Sequence, residues 1–344
     1  MPLLGLVASW NQRVYSKIVD IVLSGRIDVV HFHNTFPMIS PSGYYAAHRA
    51  GAAVVQTLHN YRAICPGATL FRDSQSCVRC VEMASFGPAI RHRCYRGSLF
   101  ATTAVVGLNI LHKSLGTWVK QVDKYICMSP LSRDQFVAAG FPSERMIVKP
   151  NFVLNDYGVG AGSETTFLFV GRVCEEKGVA FLLKAWQRVP SNLRLRIIGR
   201  GPLERTVESC AERMRNVEYL GALPSEEVAK AMQEARALIV PSLWYESAFP
   251  LVGIEAFAAG TPVLCSAHGP LGAGVIEWHN GFLFKPGDEL DFVSKVKSLA
   301  QQDSGPLRSN ARKTFEAVYS SDIHYSAILD VYRSALLEAQ RVPL

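Results

Sequence analysis

The sequence lacks a long apolar run and any clear targeting segment. Its longest uncharged apolar stretch, from Leu99 to Leu111, is shorter than the roughly 18 residues that a membrane-spanning helix needs. The first residues, MPLLGLVASWNQR, contain no basic start followed by a cleavage pattern, so we expect no secretory leader. The chain also lacks a short internal repeat, which excludes a solenoid or a propeller.

Acidic residues are scarce in the first half of the chain. Up to Asn151 there are 16 Lys and Arg against 7 Asp and Glu, whereas the remainder has 20 against 22. This basic excess could face anionic lipid, nucleotide phosphates or an acidic acceptor, or it could simply solvate the surface. Because no basic-aromatic recognition motif accompanies the charge, we do not expect nucleic acid as a partner.

Four of the eight cysteines form a cluster in the sequence: Cys65, Cys77, Cys80 and Cys94. A disulfide framework is not expected in a long chain without a leader. A C-x2-C pair with two flanking cysteines predicts one structural zinc ion held by four thiolates, with His92 as a spare ligand. Free thiols, or a redox or iron–sulfur role, are the alternatives. We expect no catalytic metal here.

The first half reads as a β-α-β unit followed by an insertion. The apolar runs DVVHFH (28–33) and AVVQTL (53–58) predict buried strands, and a helical pattern lies between them. The cysteine-bearing insertion covers residues 65–96. The apolar stretch from Leu99 to Val119 predicts a core helix, with lipid contact as the alternative. A strand at KYICMS and a helix with Ser132 as its N-cap then follow.

The second half contains four apolar runs, each separated from the next by a segment of helix length. These runs are FLFVG (167–171), LRIIG (195–199), ALIVPS (237–242) and PVLCS (262–266). Parallel strands that are buried on both faces have this pattern. We therefore predict an α/β fold with a domain at residues 1–152, a second at 163–320, and a C-terminal helix in 321–344 that crosses back to the first domain.

Charged residues and glycines follow the predicted strands of the second half. Arg172 and Lys177 come after the first strand, and Glu246 and Glu255 come after ALIVPS. In a doubly wound sheet, ligands bind at this edge. A lone Arg–Lys pair is usually a solvated surface, and glycines at such positions are common in turns. The order of the pieces along the chain is much more specific than any one of them.

These motifs resemble those of glycosyltransferase family 4. The segments that carry the resemblance are HFHNTFP (31–37), TLHNYR (57–62), FVGRVCEEKG (169–178), IIGRGP (197–202) and WYESAFPLVGIEAFAAGTPV (244–263). The resemblance implies a GT-B fold, in which two Rossmann-like doubly wound domains face a cleft. It also implies a retaining hexosyltransferase of bacterial polysaccharide or glycolipid type that uses a nucleotide-sugar and needs no metal for catalysis.

The resemblance also implies roles for individual residues. Arg172 and Lys177 would neutralise the donor diphosphate, Glu246 would hold donor-sugar hydroxyls, and Glu255 would bind the nucleotide ribose. His59 would lie near the reaction centre, or would be a structural histidine at a strand end, whereas His31 and His33 would shape the cleft. The remaining donor-site positions are Gly171, Gly199, Gly201, Phe249, Pro250 and Leu251.

The chain departs from the family pattern in two places. Eight residues separate Glu246 from Glu255, one more than the family usually has, and we expect a bulge to restore Glu246 rather than to put Ser247 in its place. The strand, glycine-rich loop and helix that open the family's first domain have no counterpart. We therefore expect an incomplete first domain in which the AVVQTL strand loses its usual sheet neighbours.

Several properties stay open at this stage. The donor could be a UDP-, GDP- or ADP-sugar, and the acceptor a glycan or a lipid-linked glycan. We expect a cytoplasmic protein, with peripheral contact to an anionic inner membrane as a further expectation. Two other functions remain: a degenerate nucleotide-sugar-binding remnant without turnover, and a nucleotide-sugar epimerase that would convert donor without any acceptor.

Overall fold

The computed structural model describes residues 7–73, 75–243 and 246–339. Two compact units are present: the first comprises residues 1–149 and 325–344, and the second comprises residues 150–324. Each unit is built around its own parallel sheet. Trp244 and Tyr245 of the last motif, and residues 340–344 of the C-terminal segment, lie outside the described residues.

The first unit contains a four-stranded parallel sheet in the order β1-β2-β5-β6. In chain order its elements are α1 (Gln12–Gly25), β1 (Val29–Phe32), α2 (Ser42–Arg49), β2 (Ala53–Leu58), β3 (Phe71–Arg72), β4 (Gln75–Ser76), α3 (Arg79–Glu82), α4 (Gly87–Arg91), α5 (Leu99–Ser114), α6 (Thr117–Lys120), β5 (Lys124–Cys127), α7 (Pro130–Ala138) and β6 (Met146–Val148). The short hairpin β3–β4 and helices α3 and α4 form the cysteine-bearing insertion.

Strand β2 lies inside this sheet and is buried at all six positions. It pairs with β1 through Val29 and Ala53 and with β5 through Val55 and Lys124. Our expectation that the AVVQTL strand loses its neighbours was therefore wrong, because β1 and β5 both hydrogen-bond to it. Burial on both sides explains why four of its six residues are apolar.

Helix α7 begins three residues earlier than the sequence predicts. The N-cap is Ser129, whose hydroxyl accepts a hydrogen bond from the backbone N–H of Ser132 at 3.0 Å. Ser132 itself lies buried within the helix, so its assignment as the N-cap was wrong. The reason is Pro130, because proline suits the first helical position, where no backbone N–H donor is needed.

The second unit contains a six-stranded parallel sheet in the order β12-β11-β10-β7-β8-β9. Its elements are β7 (Thr166–Val170), α8 (Val179–Trp186), β8 (Arg194–Ile198), α9 (Glu204–Arg213), β9 (Val217–Gly221), α10 (Ser225–Glu234), β10 (Ala237–Val240), α11 (Leu251–Ala258), β11 (Val263–Ser266), β12 (Gly281–Phe284), α12 (Glu289–Gln301) and α13 (Ser304–Thr314), followed by a π-helical turn (Phe315–Tyr319). Strands β9 and β12 were not predicted.

This strand order is that of a doubly wound Rossmann sheet, in which the chain reverses direction between two central strands. The two strands are β7 and β10, which pair through Phe167 and Ala237. Two apolar clusters cover the sheet, one centred on Trp186 and the other on Phe257. The crevice at the carboxyl ends of β7 and β10 is therefore the place where the fold allows a ligand to bind.

The C-terminal helix α14 (Ser321–Ala339) contributes its residues from Tyr325 onward to the first unit. Val331 and Ala335 are buried and pack against Ala53, Val55 and Ile126 of the first sheet. Lys124 of β5 also forms an ion pair with Glu338, with its Nζ 3.0 Å from Oε2. The helix thus supplies apolar cover for one face of strands β2 and β5.

Helix α5 has one buried face and one exposed face. Val105, Val106 and Leu108 are buried, whereas Phe100 and Ile110 are 64% and 53% exposed. Only one face of the predicted core helix is therefore buried in the core. Among the helices of the described ranges, none is both long and apolar enough to cross a membrane.

Candidate functional site

An ion pair joins the loops that follow the two central strands of the second sheet. Lys177 lies beyond β7, Glu246 lies beyond β10, and the Lys177 Nζ is 2.5 Å from the Glu246 Oε1. Ser242, directly after β10, donates its hydroxyl to the same Oε1 at 3.2 Å. Both charges are largely withdrawn from solvent, with side-chain exposures of 27% and 13%. The carboxylate of Glu246 is therefore held in place at the switch point of the sheet.

Arg172 follows β7 directly and is exposed. Its charge lowers the pKa of the Glu176 carboxyl, although hydrogen bonds to that carboxyl contribute more. Arg172 and Lys177 thus place two cations in one loop at the end of β7. A pair of cations at this edge suits an anionic ligand such as a diphosphate.

Close contact between two loops explains Gly199 and Gly201 at this edge. A Cβ on Gly199 would lie 1.9 Å from the carbonyl oxygen of Gly171, and a Cβ on Gly201 would lie 2.3 Å from that of Val173. The φ angle of Gly199 is +134°, which an L side chain rarely adopts. These glycines let the loops after β7 and β8 touch through their backbones, so a close approach of ligand is not needed to explain them.

Helix α11 begins shortly after Glu246 in the chain and carries Glu255. Pro250 is the N-cap residue and Leu251 the first helical residue, and Leu251 is half exposed. The Phe249 ring is buried and stacks on Phe257 with centroids 5.3 Å apart. Only the backbone of Phe249 can therefore meet a ligand, as can the first N–H groups of the helix.

Glu255 lies in the wall of a cavity of about 480 Å³. Other walls come from Leu223, between β9 and α10, from Ser225 at the start of α10, and from Leu251. Desolvation raises the pKa of the Glu255 carboxyl, because burial disfavours its charged form. A carboxylate in such a wall can accept hydrogen bonds from hydroxyl groups of a ligand.

Histidines gather at the carboxyl edge of the first sheet. His33 follows β1 and His59 follows β2, and the His33 Nδ1 lies 2.8 Å from the His59 Nε2. His31 stacks on His33, with ring centroids 4.4 Å apart. Its own nitrogens are hydrogen-bonded to Thr57, at 2.7 Å, and to Tyr332 of α14, at 2.9 Å. A direct contact between two imidazoles requires one ring to donate and the other to accept, so the two cannot both be protonated.

Lys149 stands at the same edge, directly after β6, and the sequence analysis missed it. Only 8% of this residue is exposed, and burial lowers the pKa of its ammonium to about 8. Burial lowers the pKa of His59, and the charges of His33 and Lys149 lower it further. For His33, burial is again the main cause and Lys149 the second. The rule that ligands meet the carboxyl ends of parallel strands could have identified Lys149.

The histidines border a second cavity, of about 230 Å³, within the first unit. His33, His59, Asn60 and Arg62 supply polar walls, and Trp118 supplies an apolar one. The Arg62 guanidinium lies over the rings of Phe36 and Tyr95, at 4.9 and 4.8 Å. The cavity thus combines hydrogen-bonding groups with aromatic surface, as pockets for polar ligands do.

The four cysteines of the insertion share one neighbourhood as free thiols. Cys65 Sγ and Cys94 Cβ lie 3.7 and 3.8 Å from the point where a Cβ on Gly67 would stand. Burial, and then the charge of Cys65, raise the pKa of the Cys80 thiol to about 11. Within the described part of the chain, no three His, Cys, Asp or Glu side chains are arranged to hold a metal ion. The zinc site thus stays a prediction.

The chain thus has two α/β units, and each is built on a parallel sheet. This architecture is that of a two-domain Rossmann-like protein, and the second unit has an ion pair at its switch point. HepE of Anabaena, solved with UDP, matches with a TM-score of 0.67 at 17% identity, covering 93% of this chain and 82% of that one. This likeness, together with the parallel sheets of both units, makes the architecture GT-B.

Two family models together cover nearly all of the chain. "Glycosyltransferase Family 4" matches residues 2–154, and "Glycosyl transferases group 1" matches residues 160–316. The chain belongs to the family-4 type of glycosyltransferases.

Two proteins of similar sequence also have names that denote glycosyltransferases. An uncharacterized glycosyltransferase of Methanocaldococcus jannaschii is 31% identical over 183 residues, which is 53% of this chain and 50% of that protein. The phosphatidyl-myo-inositol mannosyltransferase of Mycobacterium leprae is 28% identical over 256 residues, which is 70% of this chain and 67% of that protein. The chain thus spans only about half the length of the first of these relatives.

Proposed function

We propose that the chain transfers a hexose from a nucleoside-diphosphate sugar to a glycan or lipid-linked acceptor, with retention at the anomeric carbon and without a catalytic metal. The second unit binds the donor, and the first unit binds the acceptor. The observation that carries the proposal is the Lys177–Glu246 pair at the switch point of the second sheet, with Arg172 in the same loop. Family membership supports the proposal that this arrangement is a donor site rather than a structural ion pair.

Lys177 and Arg172 stabilise the charge that develops on the leaving nucleotide. When the sugar leaves, negative charge develops on the β-phosphate, and a preorganised ammonium and guanidinium stabilise it without having to reorganise. The departing phosphate oxygen can take the proton of the acceptor hydroxyl on the same face of the sugar. No enzyme carboxylate then has to act as a nucleophile, which accords with retention by front-face displacement.

Glu246 has two tasks in this proposal. Its Oε1 accepts from Lys177 and Ser242, which fixes the carboxylate so that it can accept hydrogen bonds from hydroxyls of the donor sugar. Its charge also holds Lys177 in position before the donor arrives. The extra residue between Glu246 and Glu255 is compatible with both tasks, because Glu246 already lies against Lys177.

Glu255 is proposed to accept hydrogen bonds from the ribose hydroxyls, and the N-terminal turn of α11 to meet the phosphates. The likeness to HepE, which was solved with UDP, makes UDP the first nucleotide to test. His59 is proposed to bind a sugar hydroxyl at the edge of the first sheet. Its pKa is lowered, so it is neutral at pH 7 and can form a hydrogen bond to a hydroxyl without adding charge.

The acceptor is proposed to be lipid-linked, on the strength of the relationship to a phosphatidyl-myo-inositol mannosyltransferase. The cavity lined by His33, Asn60 and Arg62 offers donors and acceptors for its polar part. We propose a cytoplasmic location, where the four clustered cysteines would stay reduced and able to bind zinc.

The test is a turnover assay with UDP-glucose, UDP-galactose and GDP-mannose, with and without a bacterial lipid extract. Release of nucleoside diphosphate that requires the extract, and that is lost in Lys177→Ala and Glu246→Ala, is the expected result. Lys184→Ala is the matched control, because Lys184 forms an exposed ion pair with Glu289 at the same 2.5 Å distance. Conversion of the donor sugar without extract would instead indicate an epimerase. Nucleotide binding without any turnover would indicate a non-catalytic binding protein.

A further inference from the structure

The outward face of helix α5 is apolar along its whole length. Leu99 is 50% exposed, Phe100 64%, Ile110 53% and Leu111 43%, and beyond the helix Leu115 is 48% exposed. The exposed positions on this side are 99, 100, 103, 104, 107, 110, 111, 114 and 115, occupied by Leu, Phe, Thr, Ala, Gly, Ile, Leu, Ser and Leu. A surface helix normally presents several charged residues to water, whereas the one charged residue exposed on α5 is Lys113, in its last turn.

The two hydroxyl groups on this face bond to the helix itself. Thr103 donates to the carbonyl of Leu99 at 2.8 Å, and Ser114 donates to that of Leu111 at 2.8 Å. At the start of the helix, Ser98 caps it by accepting from the backbone N–H of Ala101. The polar groups of the face thus already have partners and do not require water, so the whole face can enter an apolar medium.

The segment around α5 contains basic residues and no acidic ones. Residues 83–122 contain no Asp or Glu, and they contain five cations: Arg91, Arg93, Arg96, Lys113 and Lys120. All five are exposed. The acidic residue after this segment, Asp123, is buried and paired with His48 at 2.8 Å. Positive charge therefore lies at both ends of the apolar face and is not neutralised within the segment.

We propose that this face of α5 docks on an anionic lipid bilayer, with the helix lying in the plane of the membrane surface. Apolar side chains enter the boundary between headgroups and acyl chains, while the flanking cations bind anionic headgroups. One apolar face alone gives weak membrane binding, and the added basic residues make it stable. The inference goes beyond the proposed transfer reaction and does not require it.

A second copy of the chain fits this surface less well. A two-fold dimer through α5 would bring the same face of each copy together, and with it two sets of five cations without one acidic residue in the segment to offset them. Like charges at an interface oppose association. A bilayer rich in phosphatidylglycerol supplies both the apolar interior and the negative charge that the segment lacks.

The experiment is co-sedimentation of the protein with vesicles of phosphatidylcholine alone and with 30% phosphatidylglycerol added, without any nucleotide. We expect binding to the anionic vesicles that weakens in 0.5 M salt. Phe100→Glu and Ile110→Glu should each lower the partition coefficient at least tenfold, and Arg93→Glu/Arg96→Glu should lower it at least fivefold. Leu290→Glu, at a residue that is 68% exposed in the second unit, is the matched control and should bind as the parent does.

Absence of binding to anionic vesicles by the folded parent protein would overturn the proposal, as would unchanged binding in both α5 variants. A dimer in sedimentation velocity without lipid, lost in Phe100→Glu, would assign the face to a second copy and would also overturn it. Circular dichroism melts check that each variant is folded. Nucleotide affinity should be unchanged in Phe100→Glu, so failure of the membrane proposal is distinguishable from failure of the donor site.

Discussion

The Lys177–Glu246 pair allows the donor site to be tested through a double-mutant cycle. Lys177→Met removes one cation from the proposed diphosphate site and leaves the Glu246 carboxylate, 13% exposed, without its ammonium partner. A hydrogen bond to a charged group contributes about 1.5–3 kcal/mol, and an orphaned carboxylate repels the phosphates. We therefore expect UDP affinity to fall by about 2–3 kcal/mol, roughly 30- to 150-fold, in calorimetric titration.

Removing the carboxylate as well should restore part of the affinity. In Lys177→Met/Glu246→Gln no unpaired charge faces the phosphates, so we expect recovery of about 1 kcal/mol relative to Lys177→Met. Glu246→Gln alone should bind UDP about as tightly as the parent, because loss of a negative charge near the phosphates offsets loss of the partner that holds Lys177. Lys184→Met, at an ammonium 72% exposed, should change nothing. A double variant that binds as weakly as Lys177→Met, or more weakly, would refute the reasoning.

Three further predictions concern the two sheets and the cysteine insertion. Gly199→Ala should lower the free energy of unfolding, measured by urea titration, by more than about 3 kcal/mol. Its Cβ would stand 1.9 Å from a backbone carbonyl oxygen, at a φ angle that L side chains rarely adopt. Gly287→Ala is the control and should cost only about 1–2 kcal/mol, because its φ is +75° but its Cβ would meet open space. Because the pKa of His59 is lowered on folding, the unfolded chain takes up the proton first as the pH falls below about 6.5. Stability should then decrease down to the depressed pKa, by well under the ~1.4 kcal/mol per pH unit limit for a partly solvated ring, and His59→Asn should flatten that slope; an unchanged slope would remove His59 as its source. Finally, purified protein should contain about one zinc per chain by elemental analysis, and a Cys77→Ser/Cys80→Ser variant that keeps its full metal content would exclude the cysteine site.

The sequence was sufficient for the strands that are buried on both faces. AVVQTL, FLFVG and ALIVPS are mainly apolar because neither side of the sheet meets water, and each corresponds to an observed strand. Strands β9 and β12, which were not predicted, stand at the two ends of the sheet order. Both strands contain polar or glycine residues, so neither shows the alternation or the uniformly apolar run by which a strand is predicted.

The charged site was predictable in part, through the rule that ligands meet the carboxyl ends of parallel strands. That rule placed Lys177 and Glu246 at one edge, and they lie 2.5 Å apart although 69 residues separate them. It did not reveal the His33–His59 contact or the buried Lys149, because their pairing depends on which strands are neighbours in the first sheet. Local pattern also missed the cap of α7, where Pro130 decides the start of the helix.

The central claim is that the second unit binds a nucleoside diphosphate at the ends of β7 and β10. Its most direct test is calorimetric titration of the chain with UDP, GDP and ADP. We predict saturable binding of one nucleotide, UDP first, that is strongly weakened in Lys177→Ala and weakened in Glu255→Ala. A folded protein that binds none of the three nucleotides, or one whose binding is unaffected by both substitutions, would contradict the account.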